Sequence, residues 1–175
     1  MLNDKWDARF LLAACFFAEF SKDPSTKTGA FLANSKREGV GFGFNGFPRG
    51  VSDAGPLLAD RERKLLRTVH AEVNALTLYG GSCADVTLYV WQPSTVGPSC
   101  ANCAGPIINR GIRRVVFSGD EENKQFSRRW DGSYLEALHM FADARVVIKQ
   151  YRRTDLRRLA QIELRELSKI ISIAL

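Results

Sequence analysis

Two short stretches hold the side chains best suited to chemistry: Thr68-Val69-His70-Ala71-Glu72-Val73 and Pro98-Ser99-Cys100-Ala101-Asn102-Cys103. Cys100 and Cys103 stand three apart, so at the start of a helix both thiols project from one face toward a common point. The unpaired N–H groups and the positive dipole end at such a start favour thiolates. Ser99 is placed to cap that helix. His70 adds an imidazole from the start of another helix. Two thiolates and an imidazole are zinc donors, and three protein ligands leave one tetrahedral position open, the mark of a catalytic rather than a structural site. Zn2+ with two thiolates and a neutral imidazole carries no net charge. It is then a weaker acid than zinc held by three histidines, so a base beside it is needed to deprotonate an attacking water. Glu72 is that base. Residues two apart point in different directions along a helix body, so His70 and Glu72 share a site only in a first turn. A structural site would want a fourth ligand, and the only other histidine, His139, falls on a different predicted helix. Cys15 lies in an apolar stripe and Cys83 in a turn, where both read as ordinary thiols. A redox reading of C-x-x-C leaves His70 and Glu72 unexplained.

Several elements must bring these stretches together. Asp4 can cap a first helix in which Trp6, Phe10, Ala14, Phe17 and Phe20 form one apolar stripe. Ser21 to Thr26, with Pro24 among them, ends it. Two β-rich runs, 28–33 and 40–44, are joined as a hairpin by Asn34-Ser35-Lys36-Arg37-Glu38-Gly39. A Pro/Gly loop follows, then a helix near 65–79 stopped by Gly80-Gly81. The remaining pattern is strand 86–91, helix 101–110, strand 113–118, helix 133–142 and strand 145–149. Alternating strands and helices in the second half predict parallel pairing with right-handed crossovers. The fold class expected is α/β: a three-layer α/β/α sandwich around a five-stranded mixed sheet. A final helix over 153–172 has apolar positions spread widely around its wheel, which suggests burial against a neighbour or another subunit.

At 175 residues the chain is most simply one domain with a sizeable core. The first 150 or so residues read as the catalytic domain and 151–175 as a basic C-terminal helix. The N-terminus has no basic–apolar–small leader pattern and no apolar run reaches membrane-spanning length, so a cytoplasmic location is the expectation and no membrane partner is implied. The net charge is +6, but eight Lys/Arg against three Asp/Glu lie from Arg145 onward, leaving seventeen and sixteen in the rest. The body is nearly neutral, so the tail reads as a solvated helix face before it reads as a handle for nucleic acid. Gly41-Phe42-Gly43-Phe44-Asn45-Gly46 fits G-x-G-x-x-G. Pro48, Gly50, Gly55 and Pro56 follow closely, however, and deny the loop the helix N-terminus a dinucleotide needs.

H-x-E followed by the C-x-x-C pair is the signature of zinc-dependent nucleobase deaminases. The resemblance is more specific than that. Ser21 to Ala30, Gly43 to Gly50, His70-Ala71-Glu72-Val73-Asn74-Ala75 and Cys100 to Arg114 stand in the order and spacing of the deoxycytidylate (dCMP) deaminases, and the likeness runs from about Trp6 to Ile148. The resemblance implies a cytidine deaminase-like fold and hydrolysis of dCMP to dUMP with release of ammonia. It implies Zn2+ on His70, Cys100 and Cys103, with Glu72 moving the protons. By the same likeness Asn45 hydrogen-bonds the sugar or base and the Ala71 N–H meets the pyrimidine carbonyl. Ser25, Thr26 and Lys27 occupy the stretch that binds the 5′-phosphate, where short hydroxyls and one ammonium suit a single phosphate. Arg49 either reaches a phosphate or regulator or faces solvent. The resemblance also implies a homo-oligomer, dimer or hexamer, with dCTP and dTTP as regulators and Mg2+ accompanying dCTP. Phe44 stands where a tyrosine is usual, which bears on regulation more than on catalysis. Ser99 replaces the usual proline before the first cysteine. Pro106 falls inside a helix, where a kink or a short first segment is expected. A second zinc site is not expected, because histidine is too scarce. Rival readings are a deaminase of 5-substituted dCMP, cytidine or a riboflavin-pathway pyrimidine, or a nucleic-acid deaminase that uses the basic tail.

Overall fold

The computed structural model describes residues 4–92, 97–119, 124–152 and 154–156, with only the backbone of Asp4 and of 124–130. In chain order its elements are α1 (Asp4–Ala18), β1 (Gly29–Asn34), β2 (Gly39–Phe44), α2 (Gly55–Ala59), α3 (Arg61–Arg67), α4 (Ala71–Leu78), β3 (Val86–Trp91), α5 (Ala101–Asn109), β4 (Arg114–Ser118), α6 (Lys124–Asp143) and β5 (Val147–Tyr151). The strands form one sheet in the order β2-β1-β3-β4-β5. β1 runs antiparallel to both β2 and β3, whereas β3, β4 and β5 are parallel, so the mixed five-stranded sheet expected from the sequence is present.

Side chains alternate between the sheet's two faces with the two-residue period of a strand. Leu32, Leu88, Val90, Val115 and Phe117 face α4, α5 and α6, meeting Ala75, Ile107 and Phe141 in one core. Ala33, Tyr89 and Val116 face α1, meeting Ala8, Phe10 and Leu11 in the other. α5 and α6 share a face, as two crossovers of one hand must when they step in the same direction across a sheet.

The first helix differs from its expected stripe. Phe10 and Ala14 of that stripe are buried and Trp6 and Phe17 partly so, but Ala8, Leu11 and Ala18 are buried as well, while Phe20 lies beyond the helix end and is half exposed. α1 begins at Asp4 itself, which therefore lies inside the helix rather than before it. The backbone approach dictates the small face: a Cβ on Gly29 would collide with the Ala14 carbonyl, so α1 lies almost directly on β1 and only short side chains fit between. One charged residue also faces this core. Asp7 is fully buried and takes Arg114 Nη1 and Nη2 at 2.9 and 2.6 Å, Tyr89 Oη at 3.0 Å and Tyr151 Oη at 3.1 Å.

The single helix expected near 65–79 is two, α3 and α4. Val69 and Gly46 exchange backbone hydrogen bonds at 2.8 and 3.1 Å, which holds the chain extended between the helices. Thr68 closes α3 by donating both N–H and Oγ1–H to the Lys64 carbonyl, at 2.9 and 2.8 Å. α2 arises within the expected Pro/Gly loop, with Pro56 in its first turn where a missing N–H is harmless. α6 begins at Lys124 rather than near 133. β5 begins later than the expected 145, because Arg145 adopts φ 56°, a turn conformation no strand accepts. α5 runs through Pro106 without a break, so no short first segment forms. The expected helix over 153–172 lies outside the described residues apart from 154–156, which are helical and whose Leu156 is buried in the α1-side core. Among the described residues no helix is long and apolar enough to cross a membrane.

Candidate active site

His70 is the N-cap of α4 (φ −72°, ψ 153°) and Cys100 the N-cap of α5 (φ −76°, ψ 164°). The break at Thr68–Val69 therefore places the imidazole at a helix start, where it can share a site with Glu72, the second residue of α4. Cys103 follows in the first turn of α5. Side-chain donor atoms of His70, Cys100 and Cys103 lie within 4.8 Å of one another. His70 Nδ1 is 3.2 Å from Cys103 Sγ and 3.4 Å from Cys100 Sγ. Ordinary Zn–S and Zn–N lengths in a tetrahedron set neighbouring nitrogen and sulfur atoms roughly 3.6 Å apart. The donor set and its spacing fit zinc closely.

Glu72 is only 3 % exposed, in the first turn of α4. Burial pushes its carboxyl above the ordinary range, opposed by the charge of His70. The Cys100 hydrogen bond raises His70 to about 9 against the opposing effect of burial, with the Glu72 charge assisting. Cys100 is lowered to about 4, first by the Cys103 hydrogen bond and then by that of His70, although burial opposes this. Cys103 is raised by its bond to Cys100 and by burial. Binding a divalent cation needs both sulfurs as thiolates, so it would release the proton the pair otherwise shares.

The support of α5 corrects one expectation. Ser99 does not cap the helix: its Oγ donates to the Cys100 carbonyl at 3.4 Å. The first N–H, that of Ala101, is instead taken by Ser133 Oγ of α6 at 3.1 Å. Gln92 holds the approach to Cys100, donating from Nε2 to the Pro98 carbonyl at 3.0 Å, and Tyr134 Oη donates to Gln92 Oε1 at 3.4 Å. Sequence reasoning missed Gln92, Ser133 and Tyr134, which have no motif of their own.

The model for the cytidine and deoxycytidylate deaminase zinc-binding region matches residues 4–119, well over half the chain. The chain belongs to that family. Its relatives include an uncharacterised deaminase in the luxG 3′ region of Aliivibrio fischeri, 38% identical over 144 residues, which cover 82% of this chain and 92% of the relative. Mouse deoxycytidylate deaminase is 37% identical over 125 residues, 67% of this chain and 66% of that one. The solved dCMP deaminase of cyanophage S-TIM5, in complex with dCMP and dUMP, superposes with a TM-score of 0.66 at 16% identity, over 86% of this chain and all of that one. At that identity the likeness speaks for the fold alone.

The other residues singled out for this deaminase lie along the edge formed by β2 and the 21–28 segment. Asn45 is buried and braces that segment: Oδ1 accepts from Thr28 N–H at 2.8 Å and Nδ2 donates to the Thr26 carbonyl at 2.8 Å. Ser25 and Thr26 donate their N–H groups to Asp23 Oδ1 at 2.7 and 3.0 Å. Lys27 forms an exposed pair with Glu19 at 2.9 Å. Arg49 is exposed beside Gly50, which takes φ 80°. Ala71, first residue of α4, is fully buried, and its N–H heads the helix where no intrahelical partner exists. The glycine run is also explained. A Cβ on Gly43 would strike the Ala71 carbonyl and come within 2.5 Å of Ala75 N, so the glycine lets α4 lie against β2. Asn74 Nδ2 adds a bond to the Phe44 carbonyl at 2.8 Å, fixing that contact.

Proposed function

We propose that the chain hydrolyses the exocyclic amine of dCMP, giving dUMP and ammonia, with one zinc ion on His70, Cys100 and Cys103. The observation that carries this reading is the convergence of those donors, with a buried carboxylate, Glu72, beside them and outside the donor group. When bound, zinc supplies a Lewis acid that lowers the pKa of water toward neutrality. Glu72 takes a proton from the attacking water at its carboxylate and gives it to the pyrimidine ring nitrogen. It then passes the second proton to the departing amine. One water is consumed and one ammonia leaves, with no oxidant or reductant. The Ala71 N–H orients the pyrimidine carbonyl, and Asn45 shapes the sugar side of the pocket. Ser25, Thr26 and Lys27 receive the 5′-phosphate.

The choice of a nucleotide over a nucleoside is supported by the identity to proteins named deoxycytidylate deaminase and by the hydroxyl-rich turn at 25–28. Ammonia release from dCMP, 5-methyl-dCMP and deoxycytidine tests the reading. A clear preference for dCMP over deoxycytidine is expected; equal rates on the two would sink the nucleotide assignment.

A further inference from the structure

α3 buries the residue it should expose. Leu66 is 88 % exposed and Leu65 44 %, whereas Lys64, between the same helix ends, is 5 % exposed. An ammonium in that position needs partners, because a buried charge without them is costly. Two are present: Lys64 Nζ donates to Asp23 Oδ1 at 2.8 Å and to Ser25 Oγ at 3.0 Å. Replacing such a buried ion pair by apolar groups of similar shape is often neutral or stabilising. Stability is therefore a poor reason for this lysine.

We infer that Lys64 is a positioning residue for the substrate's phosphate, acting through Ser25; the inference rests on the nucleotide reading above. A serine hydroxyl has one hydrogen and two lone pairs, and an ammonium can only donate. The Lys64 bond therefore makes Ser25 Oγ an acceptor on its inner side and leaves its hydrogen to donate elsewhere. Ser25 is exposed, so that hydrogen is available to a ligand. A phosphate oxygen only accepts, so the hydroxyl meets it with the right polarity. Asp23 Oδ1 holds the Ser25 and Thr26 N–H groups together with the ammonium, which fixes the turn before a ligand arrives. Asp23 also balances the lysine's charge, so discrimination comes from the direction of donors more than from net charge.

The test compares dCMP with deoxycytidine in steady-state kinetics of the full chain. Lys64→Met alone leaves Asp23 buried and unpaired, so it is combined with Asp23→Asn, whose amide oxygen can still accept from Ser25 and Thr26. The double variant should fold at least as stably as the wild type. Its KM for dCMP should rise roughly ten- to a hundredfold, the worth of one hydrogen bond to a charged group, while kcat and the deoxycytidine parameters stay unchanged. Ser25→Ala should raise the KM for dCMP by a similar factor, and combining all three substitutions should add little more, because the residues act as one unit. An unaltered preference for dCMP, or an equal loss on both substrates, would overturn the role of Lys64. A wild-type enzyme indifferent to the phosphate would instead refute the nucleotide reading itself, so the two failures are told apart.

Discussion

Gly43 offers the sharpest perturbation of the site from outside it. A methyl at this position would stand 2.5 Å from Ala75 N, whereas ordinary contact begins at 3.4 Å, which leaves a shortfall of 0.9 Å. The obstacle is backbone on the first turns of α4, so no side-chain rotation relieves it. Either β2 or α4 must yield by about that distance. α4 carries His70 at its cap and Glu72 in its first turn, so the displacement passes directly to the cluster. Misplacing catalytic groups by 1 Å costs on the order of a hundredfold in rate, and overpacking of a tight interface costs about 1–3 kcal/mol. Gly43→Ala should therefore lower kcat/KM on dCMP by about two orders of magnitude, with a loss of stability too small to unfold the chain. Gly80→Ala is the matched control, since its Cβ meets nothing within 4 Å. Steady-state kinetics and thermal melts of both variants suffice. Wild-type kcat/KM in Gly43→Ala would refute the close-approach reasoning.

Other consequences can be measured on the same protein. Burial pushes the Asp7 carboxyl up, but Arg114, Tyr89 and Tyr151 together bring it below its ordinary value of 3.8. A carboxyl more acidic in the folded than in the unfolded chain contributes stability that is complete above that ordinary value and is lost as pH falls through the folded one. Asp7→Asn should cost about 3 kcal/mol at neutral pH by leaving Arg114 without its charge partner, and should flatten the fall of Tm below about pH 4. An acid limb as steep as the wild type's would contradict this. Cys100→Ala should retain no zinc through gel filtration. Its Tm should not respond to a chelator, whereas zinc held at a hundredfold over its Kd contributes about 2.7 kcal/mol to the wild type. Full zinc occupancy in that variant would remove Cys100 from the ligand set. Ser133→Ala should cost about 1 kcal/mol, as loss of a helix cap does, and an unchanged Tm would show that the Ala101 N–H finds another acceptor.

The chemistry was legible because it sits in short local patterns. Two cysteines three apart and a histidine two before a glutamate need only a helix start to converge, and that requirement can be stated from the residues even though neither start carries a side-chain cap of its own. The sheet followed from β-rich runs joined as a hairpin and from the strand–helix order. What escaped depends on distant partners. The break that makes His70 a cap comes from Val69 pairing with Gly46, a contact between segments that look like helix and loop when read alone. Asp7 reads as an ordinary surface residue of an amphipathic helix until Arg114 and Tyr151, far along the chain, close around it. Lys64 is likewise indistinguishable in sequence from the arginines beside it, and only its packing against Asp23 sets it apart. The apolar stripe of α1 held at Phe10 and Ala14, with Trp6 packed against the same core, but Phe20 falls past the helix end and alanines fill the closest approach to β1.

Glu72→Gln, assayed together for metal content and turnover, bears most directly on the central claim. The amide keeps the size of the carboxylate but cannot carry protons, and Glu72 lies outside the donor group of His70, Cys100 and Cys103. The variant should hold one zinc per chain, as the wild type should, and lose about a hundred- to ten-thousandfold in kcat on dCMP, the usual worth of a positioned acid–base group. Substantial turnover in the variant, or loss of its zinc, would contradict a carboxylate that moves protons beside the metal without binding it.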